Sequence, residues 1–252
     1  MNHLTFPRKF GLVSLLFVWP LVLVLFLLQS EFSSRIEFSS KELLGNRTLR
    51  PLRAVLEHVI ESRILVHDLT SVPPPLPPEL IAKLVQIEGD INTLQVVDRG
   101  VGRELKTTQE MAGVADDWQK LGKMLANASP NERDELHLTL LRGIQRLIAL
   151  VGDNSNLILD PDLDSYYLMD SILLKLPEGA DLVGRLQIHL RRSLARGPLL
   201  STEDRIEFIR LSELIRANLA ATRNGLQVAF NNNPAQNLKP SLNEDLQSYL
   251  QA

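Results

Sequence analysis

Apolar positions fall into two regimes along this chain. From Phe10 to Leu28 they form a nearly continuous run that no charged residue interrupts. Leu15, Leu16, Phe17, Val18, Leu21, Val22, Leu23, Val24, Leu25 and Phe26 leave it without a polar face. At 1.5 Å rise per residue such a helix spans roughly 28 Å, the thickness of a bilayer core. Arg8 and Lys9 precede it and Glu31 follows it. The positive-inside bias therefore predicts a cytoplasmic N-terminus over residues 1–9, a transmembrane signal anchor over 10–29 and an exported domain over 30–252. A buried core helix would keep a polar face. A cleavable signal peptide would have a shorter apolar region and a small-residue exit, where this chain has Leu28-Gln29-Ser30-Glu31-Phe32. Pro20 is tolerable in a membrane helix and is expected to kink it.

Beyond Glu31 the pattern becomes periodic. Leu49, Leu52, Leu56, Val59 and Val66 keep nearly heptad spacing with Arg63 in the one remaining slot, which predicts a long amphipathic helix running straight out of the apolar segment to about Thr70. Pro51 lies inside it and is expected to bend it. The run Val72-Pro73-Pro74-Pro75-Leu76-Pro77-Pro78 is a stiff extended turn at a bundle tip. Leu80, Leu84, Ile87, Ile91 and Leu94 mark a second helix from about Glu79, and the pattern resumes through Leu105, Val114, Trp118, Leu121 and Leu125 after a break at Gly100 and Gly102. Ser129-Pro130-Asn131-Glu132 supplies a cap with proline at the first helical position, ahead of Leu140, Leu141, Ile144, Leu147, Ile148 and Val151. Further helices are expected from about Asp160 to Leu176, from Glu178 to Arg196, and from Ser201, itself a capping segment, to about Phe230. No alternating strand pattern occurs. The fold class is all-α, an elongated antiparallel helical bundle on an N-terminal transmembrane helix.

Asn231-Asn232-Asn233-Pro234 breaks the chain again, and the amphipathic stretch from Leu238 stops at Ala252. A long helix leaving a membrane needs antiparallel partners over its apolar face. The expectation is a domain that is truncated before a second transmembrane helix.

One segment concentrates polar chemistry: Asp153-Asn154-Ser155-Asn156-Leu157-Ile158-Leu159-Asp160-Pro161-Asp162-Leu163-Asp164-Ser165-Tyr166-Tyr167-Leu168-Met169-Asp170. Asp160 suits a cap, Pro161 the first helical position, and Asp162 and Asp164 the first turn, where the helix dipole favours acids. An EF-hand is rejected, because its sixth position has Ser165 in place of glycine and its twelfth Ser171 in place of glutamate. On a helix begun at Pro161, Leu163, Tyr167, Asp170 and Leu174 share one face, which sets Asp170 on an apolar stripe and demands partners for it. Asn154 and Asn156, from the end of the preceding helix, and the hydroxyls of Tyr166 and Tyr167 are the candidates. The cluster serves either a hydrogen-bond network between helix ends or contact with a ligand.

This segment resembles the D-x-S-x-L-x-L-D-P-D-L-D-S-Y-Y-L-M-D signature in the extracytoplasmic sensor regions of bacterial methyl-accepting chemotaxis proteins and some membrane histidine kinases. Phe38-Ser39-Ser40-Lys41-Glu42-Leu43-Leu44-Gly45 with Arg50-Pro51-Leu52 is similar to the first helix of such receptors, and Gly102-Arg103-Glu104-Leu105 with Trp118 to the second. The resemblance covers most of residues 31–230. It implies a homodimeric input region in the bacterial inner membrane, its main domain periplasmic, that senses a small molecule such as a carboxylate or an amino acid and passes a conformational signal across the membrane. Such receptors continue into a second span, a linker and an output domain, none of which lies within these residues. A membrane-tethered structural bundle without a ligand is the competing expectation.

Composition narrows the field. Of the 252 residues 44% are hydrophobic and 23% charged, which is the balance of a folded chain. The formal charge of −3 and the lack of basic–aromatic clusters argue against nucleic acid. There is no cysteine, and His3, His58, His67, His137 and His189 lack metal-ligand spacing, so neither a metal nor another cofactor is expected. With no nucleophile elbow and no phosphate loop, the chain does not read as an enzyme. Arg63, Arg142 and Arg146 lie near apolar stripes, where they would either grip a carboxylate or cover apolar neighbours as surface arginines.

Overall fold

The computed structural model describes residues 6–67, 76–159, 162–197 and 199–251. Among them no strand is present, and the helices pack on one another as a bundle. The first, α1 (Phe6–His67), is a single helix of 62 residues, roughly 93 Å long, that continues through both Pro20 and Pro51. Its N-terminal third is long and apolar enough to cross a membrane. The large apolar side chains described between Phe10 and Leu28 are 48–73% exposed, so no other described part of the chain covers them. Past Leu28 the helix is solvated and carries the i,i+4 pairs Glu31–Arg35 and Glu37–Lys41. From Gly45 onward it enters the bundle.

Here the heptad read from the sequence is buried in full: Leu49, Leu52, Leu56, Val59, Arg63 and Val66 are joined by Thr48, Val55 and Ser62 on an adjoining stripe. One stripe would serve one neighbour. Two are needed because α1 packs on α2 (Pro78–Val101), α4 (Pro130–Asn154) and α6 (Leu176–Arg196), while α3 (Thr108–Met124) lies on α4. The core joins α1 to Leu80, Ile87, Ile91 and Leu94 of α2, Met111, Val114 and Trp118 of α3, and Leu140, Ile144, Leu147 and Val151 of α4. The break after α2 falls where the glycines predict it. Gly102 sits so close to the buried Asp98 that a Cβ would lie 2.3 Å from its Oδ1, and Thr107 donates to the same oxygen at 2.5 Å.

The second half adds α5 (Leu163–Asp170), a π turn (Ser171–Lys175), α6, α7 (Thr202–Asn231) and α8 (Leu238–Gln251). Contacts fix the directions. Arg63 meets Asp134 while Gly45 meets Ser155, so α4 runs antiparallel to α1. Gly184 packs against Ile60 and Arg192 reaches His67, so α6 runs parallel to it. α7 returns along α6 and α5, from Asp204 beside His189 to Asn233 beside Asp164. The chain then turns through Asn233, and α8 climbs back along α7 until Tyr249 reaches Gly179.

Three local expectations change. The Asp160-Pro161 cap lies outside the described residues, as do Asp68–Pro75, including most of the proline run; Asp162 occupies the N-cap of α5, without a side-chain capping bond. The two helices expected either side of Pro177 are joined by the π turn, in which the Leu176 N–H bonds to Ser171 O. Proline removes a donor from this stretch, and an extra residue in the turn is where the register absorbs the loss. The stripe through Leu163, Tyr167, Asp170 and Leu174 is not the core-facing one: Leu163, ahead of the turn, is 51% exposed, and past it Leu174 is 49% exposed while Leu173 is buried in its place.

Candidate functional site

A crevice lies at the end of α1 farthest from the apolar segment. There α1, the start of α4 and the end of α6 enclose about 300 Å³, lined by Arg63, Val66 and His67, by Pro130, Asn131, Arg133, Asp134 and His137, and by Arg192, Ala195 and Arg196. Each element is held there by ordinary local rules. Ser129 caps α4 in a reciprocal box, its Oγ accepting from the Glu132 N–H while the Glu132 carboxylate accepts from the Ser129 N–H. Ser201 and Asp204 repeat the device at the start of α7, and Asp204 also holds Arg196 at 2.6 Å.

The buried wall is neutralised. Arg63, in the heptad slot of α1, donates through Nε to Asp134 at 2.8 Å and lies 4.0 Å from Asp181. Burial pushes the Asp181 carboxyl up, against the pull of Arg185 and Arg63. His137 is fully buried, its Nδ1 2.8 Å from Arg133 O and its Nε2 3.2 Å from Ser62 Oγ. The carbonyl can only accept, so Nδ1 carries the proton and Ser62 donates to Nε2. Desolvation, aided by Arg63, pulls this imidazole down to about 4. It is a neutral structural strut at physiological pH.

The open wall differs. Arg192 is exposed and donates through Nε to His67 Nε2 at 3.3 Å. Guanidinium has no acceptor, so Nε2 offers its lone pair and the His67 proton sits on Nδ1. That nitrogen is buried and finds no partner among the described residues. Burial first, and then the charge of Arg192, hold the His67 ring below its ordinary value, in keeping with a neutral tautomer.

The sequence motif lies elsewhere. Asn154 ends α4 twenty positions beyond Asp134, roughly 30 Å along the helix. Asn154 and Asn156 are half-buried, the latter with φ of 65°, and Asn156 O accepts from Leu159 N–H at the turn into the short helix Leu157–Leu159. Tyr166 and Tyr167 meet edge to face at 5.2 Å, and Tyr167 packs on Gly225 of α7. Asp170 is half-buried and engages no hydrogen bond or ion pair among the described residues. The acid of this segment that is engaged is Asp164: it accepts from Asn233 Nδ2 at 2.9 Å, a bond that holds its carboxyl below the usual range. The motif thus ties the start of α5 to the turn after α7.

Of the three arginines singled out by sequence, only Arg63 lines the crevice. Arg142 and Arg146 are on the outer face of α4, 3.8 Å from Glu135 and 2.8 Å from Glu110. His67, Asn131, Arg133, Arg192 and Arg196 were not singled out, and only a pairing of segments distant in sequence would have found them. Among the described residues no group of His, Asp or Glu is arranged to hold a metal ion. Comparison of the chain with protein-family models, curated proteins and solved structures gives no match.

Proposed function

We propose that this chain is the ligand-sensing, signal-transducing input region of a bacterial transmembrane receptor, anchored by α1 with its N-terminus in the cytoplasm and its bundle in the periplasm. One observation carries the reading: α1 is a single unbroken helix from the apolar segment to Arg63, Val66 and His67 on the wall of the crevice. Whatever changes the packing at that wall acts on the same rigid element that enters the membrane. A slide or rotation of ångström scale is enough to carry such a signal, provided the ligand favours one of two packings. The solvated stripe Phe32, Ile36 and Leu43 just above the apolar segment fits a second copy of the chain in a homodimer.

The test uses the absence of native cysteine. Ile36→Cys, on exposed α1, reports disulfide formation between copies in native membranes. A panel of organic acids and amino acids is expected to change its rate with at least one member. Formation at an unchanging rate across the panel, or none at all, would favour a structural tether.

A further inference from the structure

The structure assigns α8 the part of a strap that clamps the start of α6, closing when the Tyr249 hydroxyl donates to Asn218 Oδ1. The strap is a device of the bundle itself and would operate whatever signal the chain carries.

The Asn218 amide is the first argument. This residue of α7 is only 6% exposed, and its Nδ2 donates to Lys175 O at 3.0 Å and to Glu178 Oε2 at 3.1 Å. A carbonyl and a carboxylate can only accept, so the amide orientation is fixed and Oδ1 is turned away from them. That oxygen is buried and meets no donor among the described residues. A buried acceptor left unpaired is costly, and the hydroxyl placed to relieve it belongs to α8. A Cβ on Gly179 would lie 2.9 Å from Asn218 Oδ1 and 2.7 Å from Tyr249 Oη, so the glycine keeps open one small space that both oxygens border. Tyr249 is half-buried, and burial pushes its phenol up, which keeps the proton that the bond needs.

The second argument is how little else holds α8. Of its 14 residues only Leu246 is buried, and Lys239, Glu244 and Asp245 form no ion pair among the described residues. A helix of this length is marginal by itself in water. Its beginning is pinned, however. Asn233 Oδ1 accepts from the N–H groups of Asn237 and Leu238 at 2.8 and 3.1 Å, while Asn233 Nδ2 donates to Asp164. Held at that end and thinly packed along its length, α8 pivots about Asn233, and the contact at Tyr249 decides whether it lies down. Place is the third argument. Lys175 closes the π turn, and Gly184, five residues beyond Gly179, packs on Ile60 of α1. The closed strap therefore bears on α6 just before α6 meets α1.

Hydrogen exchange, followed by mass spectrometry on the full chain in detergent, tests the strap. In the parent the amides of α8 are expected to be protected, yet to exchange faster than those of α7. Tyr249→Phe keeps the ring and removes the hydroxyl. It is expected to speed exchange in α8 and in residues 179–189 of α6 at least about threefold, the scale of one lost hydrogen bond, and to leave α2 and α4 unchanged. Gly179→Ala fills the shared space and is expected to free α8 in the same way. Gln247→Lys, on the exposed side of α8, is expected to match the parent. In the parent, an unprotected α8 or one as slow as α7 would overturn the proposal. So would Tyr249→Phe or Gly179→Ala behaving as the parent, a Tyr249→Phe effect confined to α8, or one that reaches α2 and α4 equally.

Discussion

Lowering the pH should weaken the helical core through His137, and the size of the loss follows from its surroundings. The imidazole is completely buried and neutral, held by Arg133 O and Ser62, with Arg63 nearby. In the unfolded chain it titrates near 6.5, and in the fold near 4, chiefly because burial penalises the cation. A base whose folded value is depressed gives stability that is whole above the unfolded value. That stability falls away as the pH drops toward the folded value, because only the unfolded chain then takes up the proton. At about 1.4 kcal/mol per pH unit the full difference is about 3 kcal/mol, of which about 2 kcal/mol disappears between roughly pH 7.5 and pH 5. His67, also held low by burial and Arg192, adds in the same direction, whereas Asp181, raised by burial, opposes it. Comparison with His137→Asn removes both, since the variant keeps a donor for Arg133 O but cannot titrate in this range. The assay is urea unfolding of the full chain in detergent at a series of pH values, in a Trp19→Phe background, followed by the fluorescence of Trp118, which is buried in the same core. The wild-type chain should lose about 2 kcal/mol more than the variant over that interval. Parallel curves for the two proteins would refute the buried neutral imidazole.

Other perturbations have signed outcomes. Arg63→Met strands the partly solvated Asp134 and leaves Asp181 with Arg185 alone, and should cost about 2 kcal/mol in urea unfolding, with part regained on adding Asp134→Asn. Gly45→Ala places a Cβ 2.3 Å from Ser155 Oγ and 2.8 Å from Leu157 Cδ1, and should lower stability by about 1–3 kcal/mol; Gly89→Ala, with open space around an exposed helical position, should raise it by about 0.5–1 kcal/mol. Asp164→Ala removes the acceptor of Asn233 and should cost about 1 kcal/mol, more than Asp170→Ala; the reverse order in thermal melts would restore the sequence expectation for Asp170. N-terminal sequencing of membrane-fraction protein should find residues upstream of Leu28, whereas soluble protein beginning near Ser30 would contradict the anchor.

The regular parts of the fold were legible because their rules are local. The Ser129 and Ser201 caps, the break at Gly102 and the heptad from Leu49 to Val66 each depend on residues a few positions apart, and all stand where the pattern put them. The face of the helix after Asp170 was misjudged for an equally local reason. A π turn adds one residue that no 3.6-residue periodicity anticipates, and it exchanges Leu174 for Leu173. The crevice was illegible for a different reason. Arg63 with His67, Asn131 with Asp134, and Arg192 with Arg196 are separated by about sixty positions each, and only the packing of α6 parallel to α1 brings the third pair to the first two. Arg63 alone drew notice, as the charged residue in an apolar register.

Burial is unequal between the halves of the bundle. Helices α1 to α4 share one continuous apolar core, whereas α5 to α8 meet over Leu182, Ile188, Leu211, Phe230 and Leu246 and over small or polar residues such as Gly179, Asn218, Thr222 and Gly225, leaving Ile206 and Ile209 in solvent. Amide protons in the two halves should therefore exchange with deuterium on separate timescales, those of α7 and α8 through partial openings and those of α2 and α4 only when the core itself comes apart. The α6 wall of the crevice belongs to the less continuously packed half, so Arg192 and Arg196 should be released in those partial openings while Arg63 and His137 stay with the core.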